Sequence, residues 1–240
     1  MRFPLPNLLS VFAAALTSCA SSQLHYIDEG AAAALKQEQT VIVMGLMSEK
    51  SQLMPRAGER SRILNDLETR LKQKRKKLTV ASHGTFERKA GRVRTSGSGN
   101  RGSVSYALNS SQLEKVRSIG ADFGVIVVLR ANGTWCSVDE STSTEEHHEY
   151  DKEGNIVSCH LETTYTTSSF SSRKAKADYL LYDLNTGSKI WECSSDYSES
   201  NSRSNSCTRG YPPPPSHPEP PCLHDVMKNM AAAAVRKFPK

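Results

Sequence analysis

The sequence predicts an α/β fold, a small sheet sandwiched by helices, with a long β-ribbon insertion and an amphipathic helix at its C-terminal end. Three observations support this prediction. The apolar runs at 41–46 and 123–129 have the continuous hydrophobic character of strands buried on both faces. Segments of helical periodicity lie between these runs and after them. The stretch 176–193 alternates around a tight turn, which indicates a β-hairpin in the same sheet.

The first residues have the pattern of a targeting segment. Arg2 is followed by the apolar run 8–16 and then by small residues, as in a secretory signal peptide. A mostly apolar run of nine residues is too short to span a bilayer, so a transmembrane helix is disfavoured. The tetrad Leu-Thr-Ser-Cys at 16–19 resembles the lipobox of bacterial lipoproteins, in which the cysteine is diacylated and becomes the new amino terminus.

That resemblance implies lipidation of Cys19, loss of a signal peptide at 1–18 and a lipidated tether at 19–39; ordinary secretion with Cys19 incidental is the alternative. Two acyl chains anchor a protein stably, whereas one is marginal. Ala20 after the cysteine resembles the pattern sorted to the outer membrane. We therefore expect a lipid-anchored protein of the bacterial cell envelope that faces the periplasm. Cleavage lowers the formal charge from +6 to +5, because Arg2 is the only charged residue removed.

Residues 40–131 predict alternating strands and helices. After the strand at 41–46, apolar residues at helical spacing indicate a helix, namely Ile63, Leu64, Leu67 and Leu71. This helix ends in a run of cations, Lys72, Lys74, Arg75, Lys76 and Lys77. Cations suit the negative end of a helix dipole, so we interpret the run as a solvated helix end. Contact with an anionic lipid or cell-wall surface is the alternative, and no nucleic-acid partner is expected.

A short strand at 78–81 and a second helix complete this half. The tetrad 111–114, Ser-Gln-Leu-Glu, is a capping box that begins a helix. Gly120 can adopt the left-handed backbone conformation that commonly ends a helix. The strand at 123–129 comes directly afterwards. In the hairpin at 176–193, Asn-Thr-Gly at 185–187 forms the turn, and Trp191 and Cys193 share one face.

Two segments carry a family resemblance. They are Ile-Gly-Ala-Asp at 119–122 before an apolar strand, and the hairpin stretch 182–191. Together with the order of elements they resemble periplasmic lipoproteins related to the curli-secretion lipoprotein. The amino-terminal domain of the translocation protein TolB and the outer-membrane activators of peptidoglycan synthases are similar as well. The resemblance implies a small α/β sandwich that is used for protein contacts and carries no catalytic residues.

The insertion at 132–174 is rich in Ser, Thr and Glu, with its turn at 151–155. It predicts a ribbon that extends two sheet strands outward, with 125–129 opposite 179–183. Residues 194–206 would add a third, fraying edge. The curli-secretion family uses such insertions to form a membrane pore. A lipid-facing strand needs an apolar residue at every second position, and 162–169 offers one aromatic, so we do not expect a pore.

Histidines and glutamates cluster in this ribbon. His147, His148 and His160 lie near glutamates at 145, 146 and 149, and could bind a divalent metal. Adjacent histidines on a strand point to opposite faces, however, and a polar loop explains the cluster without metal. We expect neither a metal nor another cofactor. Metal or ligand capture through His147 and His148 is the alternative.

Five cysteines remain after Cys19, namely Cys136, Cys159, Cys193, Cys207 and Cys222. An exported protein is oxidised, so most should be paired although their number is odd. We expect Cys193 to be the unpaired thiol, buried in the core. The other four allow three pairings. We favour Cys136 with Cys159 because this disulfide closes a short loop. The same reason favours Cys207 with Cys222.

The C-terminal part contains a proline-rich loop at 208–222 and a final helix. Proline excludes both helix interiors and sheet ladders, so the loop is extended. We interpret it as a stiff connector, with a ligand for a partner's aromatic groove as the alternative. From 223 to 238 apolar residues recur through four helical turns, which predicts a helix packed on the sheet.

We therefore expect one α/β domain at 40–240. No Ser/His/Asp or Cys/His arrangement can be assigned from spacing, and we expect no enzymatic activity. The sequence favours a non-catalytic scaffold or regulator that binds other envelope proteins. A metal- or ligand-binding envelope lipoprotein is the alternative.

Overall fold

The computed structural model describes residues 20–34, 39–48, 50–74, 78–93 and 110–239. Its elements, in chain order, are β1 (Ser21–Ile27), α1 (Glu29–Ala34), β2 (Thr40–Met47), α2 (Ala57–Lys74), β3 (Thr79–Ala81), α3 (His83–Ala90), α4 (Ser110–Arg117), β4 (Phe123–Tyr150), β5 (Ile156–Asp183), β6 (Lys189–Cys207) and α5 (Leu223–Arg236). They form a six-stranded sheet of order β1-β6-β5-β4-β2-β3. Strands β3, β2 and β4 run parallel, and the pairs β4/β5, β5/β6 and β6/β1 are antiparallel. The predicted α/β fold class is confirmed.

Each face of the sheet has its own core. Val43, Val125 and Leu181 pack with α2 and α5 on one face. Ile42 and Ile126 pack with α3 and α4 on the other. Neighbouring residues on a strand point to opposite faces, so a strand covered on both sides must be apolar throughout. This explains the continuous apolar runs in the sequence.

Helix α5 covers the sheet as the periodicity predicts. Val226 and Met230 are fully buried. The hairpin strand β6 meets the end of this helix through Trp191, whose ring lies 5.3 Å from that of Phe238 in an edge-to-face contact. Its indole Nε1 donates a hydrogen bond of 3.1 Å to the carbonyl of Lys237. Cys193, two residues further along β6, is also completely buried, as predicted.

Strands β4 and β5 form one antiparallel ladder from the core to the end of the ribbon. Phe123 pairs with Asp183 at the core, and Tyr150 pairs with Ile156 at the tip. The five-residue turn between them is held by Asp151, whose carboxylate accepts hydrogen bonds from the backbone and side chain of Asn155 and so has a lowered pKa. The ribbon and its turn are thus confirmed. From Phe123 to Leu129 the ladder is two residues out of the predicted register, a shift that keeps these side chains on their predicted faces. A bulge between Leu129 and Ala131 then shifts the pairing of the outer ribbon by one residue.

The predicted tether at 19–39 is wrong for most of its length. Strand β1 pairs with 191–196 of β6 at the edge of the sheet, and α1 follows it. Backbone pairing and polar contacts hold this strand, including a hydrogen bond from Ser195 Oγ to the carbonyl of Ser21. Leu24 and Tyr26 are 42% exposed, so this edge strand buries little apolar surface, and its sequence carries only a short alternation of apolar residues.

Smaller differences concern the helices. Helix α3, which the sequence analysis missed, begins after Ser82, whose hydroxyl accepts a hydrogen bond from the backbone of Thr85. Helix α4 begins at Ser110, one residue before the predicted cap, and Gly120 has the expected positive φ of 79°. Lys72 and Lys74 are exposed in the last turn of α2. Arg75, Lys76 and Lys77 lie outside the described residues.

We predict that Met230→Ala lowers the free energy of unfolding by about 2–5 kcal/mol, because it leaves a cavity between α5 and the sheet. Chemical denaturation monitored by circular dichroism measures the loss. Lys228→Ala, an exposed change on the same helix, is the control and should alter stability by less than about 0.5 kcal/mol. Equal stability of the two variants would mean that α5 does not seal this core.

Candidate functional site: the ribbon and its tip

The ribbon has two parts that differ in the number of strands. Strand β6 accompanies β5 as far as the pair between Cys207 and Tyr165. Beyond that pair the ribbon has two strands, and the residues 143–164 that surround the turn form what we call the tip. An isolated two-stranded ribbon is marginally stable in water. The stability of the tip therefore depends on the segments that pack against the base of the ribbon.

One segment that packs against the base of the ribbon is the proline-rich loop. Residues 211–222, here named the strap, run along one face of the three-stranded part and end at the start of α5. Three side chains of β5 donate hydrogen bonds to strap carbonyls. Thr167 bonds to Pro212 at 2.8 Å, and Ser169 bonds to Pro215 at 2.6 Å. Arg173 bonds to Pro221 at 2.6 Å.

The chemistry of the strap matches the polar ribbon beneath it. Proline has no backbone N–H, so this segment can accept hydrogen bonds but donates few. Serine, threonine and asparagine side chains of the ribbon supply the donors, and the side chains of Thr167 and Ser169 are completely buried there. Pro212, Pro215, Pro218 and Pro221 are the prolines with reduced exposure. This interval of three residues is the period of a polyproline II helix.

The opposite face of the ribbon carries paired hydroxyl groups. Ser172 lies 2.6 Å from Ser200, and Ser168 lies 2.7 Å from Ser204, each pair joined across β5 and β6. Trp135 on β4 is the direct partner of Ser172 and is 46% exposed. Hydrogen bonds between side chains of adjacent strands stabilise a sheet by a few tenths of a kcal/mol to about 1 kcal/mol per pair.

The tip exposes apolar side chains to solvent. Tyr150, Ile156, Val157 and Leu161 are between 56% and 69% exposed. Single exposed apolar residues are common, but a group of them at the end of a projecting element is typical of a contact surface. These four residues flank the ribbon turn on β4 and β5 and are called the apolar tip.

The strand register places the histidines of the tip on two different faces of the ribbon. His147 pairs with His160, and their rings stack with centroids 5.4 Å apart. His147 Nε2 lies 3.3 Å from a carboxylate oxygen of Glu162 on the same face. His148 points to the other face, as alternation along a strand requires. The three histidines therefore do not form one site.

His148 instead meets a cysteine that the sequence analysis did not include among the candidate ligands. Cys159 is its direct partner across the ladder, and Glu146 lies two residues away on the same face. The ligand atoms of Glu146, His148 and Cys159 all lie within 4.8 Å of one another. The Cys159 thiol donates a 2.7 Å hydrogen bond to Glu146, which raises the pKa of the thiol. All three residues are exposed.

The predicted disulfides are wrong in this structure. Cys136 pairs with Ser171, whereas Cys159 pairs with His148, twelve residues further along β4. That interval corresponds to about 40 Å at the rise of a strand, far beyond disulfide range. Cys207 lies beside Tyr165, whereas Cys222 follows Pro221, which is bonded to Arg173. The thiols of Cys136, Cys159, Cys193, Cys207 and Cys222 are all free.

Cys193 differs from the four other described thiols in its environment. It is completely buried under α5, and burial raises its pKa to about 11. The other four are exposed. Cys19, the predicted lipidation site, lies outside the described residues, as does the signal peptide at 1–18. None of the helices within the described residues is long and apolar enough to cross a membrane.

No protein-family model and no curated protein matches this chain. Among solved structures, the chain is similar to the PelC dodecamer from Paraburkholderia phytofirmans, with 11% identity and a TM-score of 0.41. That alignment covers 92% of this chain and 97% of PelC. A variant of the same dodecamer aligns with 9% identity and a TM-score of 0.38, over 92% of this chain and 98% of the variant.

Proposed function

We propose that this chain is a lipid-anchored protein of the bacterial cell envelope that acts as a non-catalytic, protein-binding scaffold or regulator in the periplasm. The apolar tip is its principal contact surface. The observation behind this proposal is the exposure of Tyr150, Ile156, Val157 and Leu161 at the end of a ribbon rooted in the core. Such side chains gain about 25 cal/mol per Å² when a partner covers them.

The direction of β1 supports a role for the anchor. Ser21, at its start, lies opposite Asp196 of β6, and β6 continues from there into the ribbon. The chain therefore enters the sheet at the end from which the ribbon extends. Cys19 precedes Ser21 by two residues, a span of about 7 Å at most. Acyl chains on Cys19 would hold the base of the ribbon at the membrane surface, while the tip reaches other envelope proteins.

A photo-crosslinking amino acid at Leu161 tests the contact surface in living bacteria. We predict one or a few discrete crosslinked envelope proteins, identified by mass spectrometry, because this side chain is 69% exposed at the tip. The same crosslinker at Lys89, exposed on α3 of the core, is the matched control. Equal crosslinking patterns at the two positions would contradict a specific role for the tip.

Lipidation is tested by Cys19→Ser. We predict that the variant loses its acyl chains and moves from the membrane fraction to the soluble envelope fraction, because the described helices include no other span. Metabolic labelling with an alkyne fatty acid reports the acylation itself. Retention of the variant in the membrane fraction at the wild-type level would contradict the lipid anchor. The crosslinking experiment at Leu161 would still test the contact surface independently.

The second candidate function is metal or ligand capture at the tip. The favouring observation is the group formed by Glu146, His148 and Cys159 across the ladder. Carboxylate, imidazole and thiolate are all ligands of Zn²⁺. His147, which the sequence paired with His148 in this role, belongs to the opposite face with Glu162. Exposure of all three ligands makes this a weaker candidate than the contact surface.

A further inference from the structure

A second group of metal-ligating side chains lies where the strap meets α5, at the far end of the ribbon from the tip. Cys222 is the residue before the helix, and His224 and Asp225 lie in its first turn. The thiol of Cys222, Nδ1 or Nε2 of His224 and a carboxylate oxygen of Asp225 all lie within 4.8 Å of one another. No part of the sequence analysis singled out His224 or Asp225.

The distances within this group are close to those of a metal's ligands. Cys222 Sγ lies 2.9 Å from Asp225 Oδ2, and His224 Nδ1 lies 3.4 Å from Asp225 Oδ1. Around a tetrahedral Zn²⁺ with ordinary bond lengths, neighbouring ligand atoms are separated by about 3.3–3.6 Å. The three ligand atoms lie within 4.8 Å of one another, so side-chain adjustments of up to about 1 Å would bring them to a common ion.

The other nitrogen of the imidazole faces a carboxylate of α2. His224 Nε2 lies 2.9 Å from Asp66 Oδ2, and the backbone N–H of His224 donates to Glu59 at 3.2 Å. Metal-binding histidines commonly present their second nitrogen to a carboxylate, which fixes the ring and the tautomer. Asp66 is placed to take this role once the imidazole turns to align Nε2 with its carboxylate, and Nδ1, which lies beside Asp225, is then the ligand atom.

Two buried carboxylate oxygens beside the group accept no hydrogen bond from the described residues. One is Asp66 Oδ2, whose contact with His224 lacks hydrogen-bond alignment, and the other is Glu199 Oε2. Buried polar atoms are nearly always bonded, so two such oxygens in one place require an explanation. The charge of Asp225, after burial itself, raises the pKa of Glu199. The surroundings are therefore rich in negative charge.

We propose that Cys222, His224 and Asp225 bind a divalent transition-metal ion of the Zn²⁺ class, with Asp66 as the positioning residue. The mixture of thiolate, imidazole and carboxylate favours Zn²⁺ over Mg²⁺ or Ca²⁺, which prefer oxygen ligands alone. Cys222 and Asp225 are exposed, so the ion can enter from solvent and complete its coordination with water. A bound ion would connect α5, through His224 and Asp66, to α2.

Titration of the purified full chain with Co²⁺ tests this site, with the protein stripped by chelator and its thiols kept reduced. Co²⁺ is the probe because a cobalt–thiolate bond absorbs in the near ultraviolet. We expect a sulfur-linked absorption band that Zn²⁺ abolishes on displacing Co²⁺. Zn²⁺ at a hundred times its dissociation constant should also raise the melting temperature by about 5–10 °C.

Matched variants locate the bound ion. Cys222→Ser should remove one equivalent of sulfur-linked Co²⁺ binding, whereas Cys159→Ser at the tip should leave that equivalent unchanged. Asp66→Asn, which keeps the shape of the side chain, should weaken binding about 10–100-fold. The proposal is overturned if no Co²⁺ binds at millimolar concentration. It is equally overturned if Cys222→Ser removes no equivalent of Co²⁺ bound through sulfur, or if Cys159→Ser alone abolishes the whole absorption band.

Discussion

The β4–β5 ladder is the interaction on which the rest of the structure depends. Its inner part, from Phe123 to Leu129, is buried in the sheet between two helical layers. Its outer part carries polar side chains into solvent, and the pairing continues to Tyr150 with register shifts at Leu129/Ala131 and Glu149/Tyr150. A ribbon of this length would be marginal by itself, but its strands are continuous with strands that the core holds in place. The core therefore determines where the ribbon begins, which direction it takes and which side chains share a face.

In the outer ribbon, hydrogen bonds between side chains and to the strap provide the stability that apolar burial provides in the core. Hydroxyl pairs connect β5 to β6 on one face, and the carbonyls of the strap accept hydrogen bonds on the other. Each bond contributes only about 1 kcal/mol net, since water competes for the same groups. Several bonds in parallel are needed, which explains the serine- and threonine-rich composition of this region. The apolar tip stands beyond these layers, where none of its side chains is needed for packing.

The sequence predicts the core well because burial on both faces leaves a strong pattern. The runs at 41–46 and 123–129, the turn at 185–187 and the periodicity of α5 each identify an element. Strand β1 could not be predicted in this way, since an edge strand is held by its backbone and Leu24 faces solvent. The cysteine pairings failed because loop length was used where strand register decides which thiols meet. Cys159 became a candidate ligand only when the register placed it opposite His148.

Cross-strand disulfide formation is the most direct test of the claim that the ribbon is a registered extension of the core. Thr144 and Thr163 are opposite each other, with hydroxyl oxygens 3.2 Å apart. In a chain whose native cysteines are replaced by serine, Thr144→Cys with Thr163→Cys should oxidise readily to an intramolecular disulfide. Thr144→Cys with Thr164→Cys should remain reduced, because Thr164 points to the opposite face. Oxidation of the second pair, or of neither pair, would contradict the register and the contact surface that depends on it.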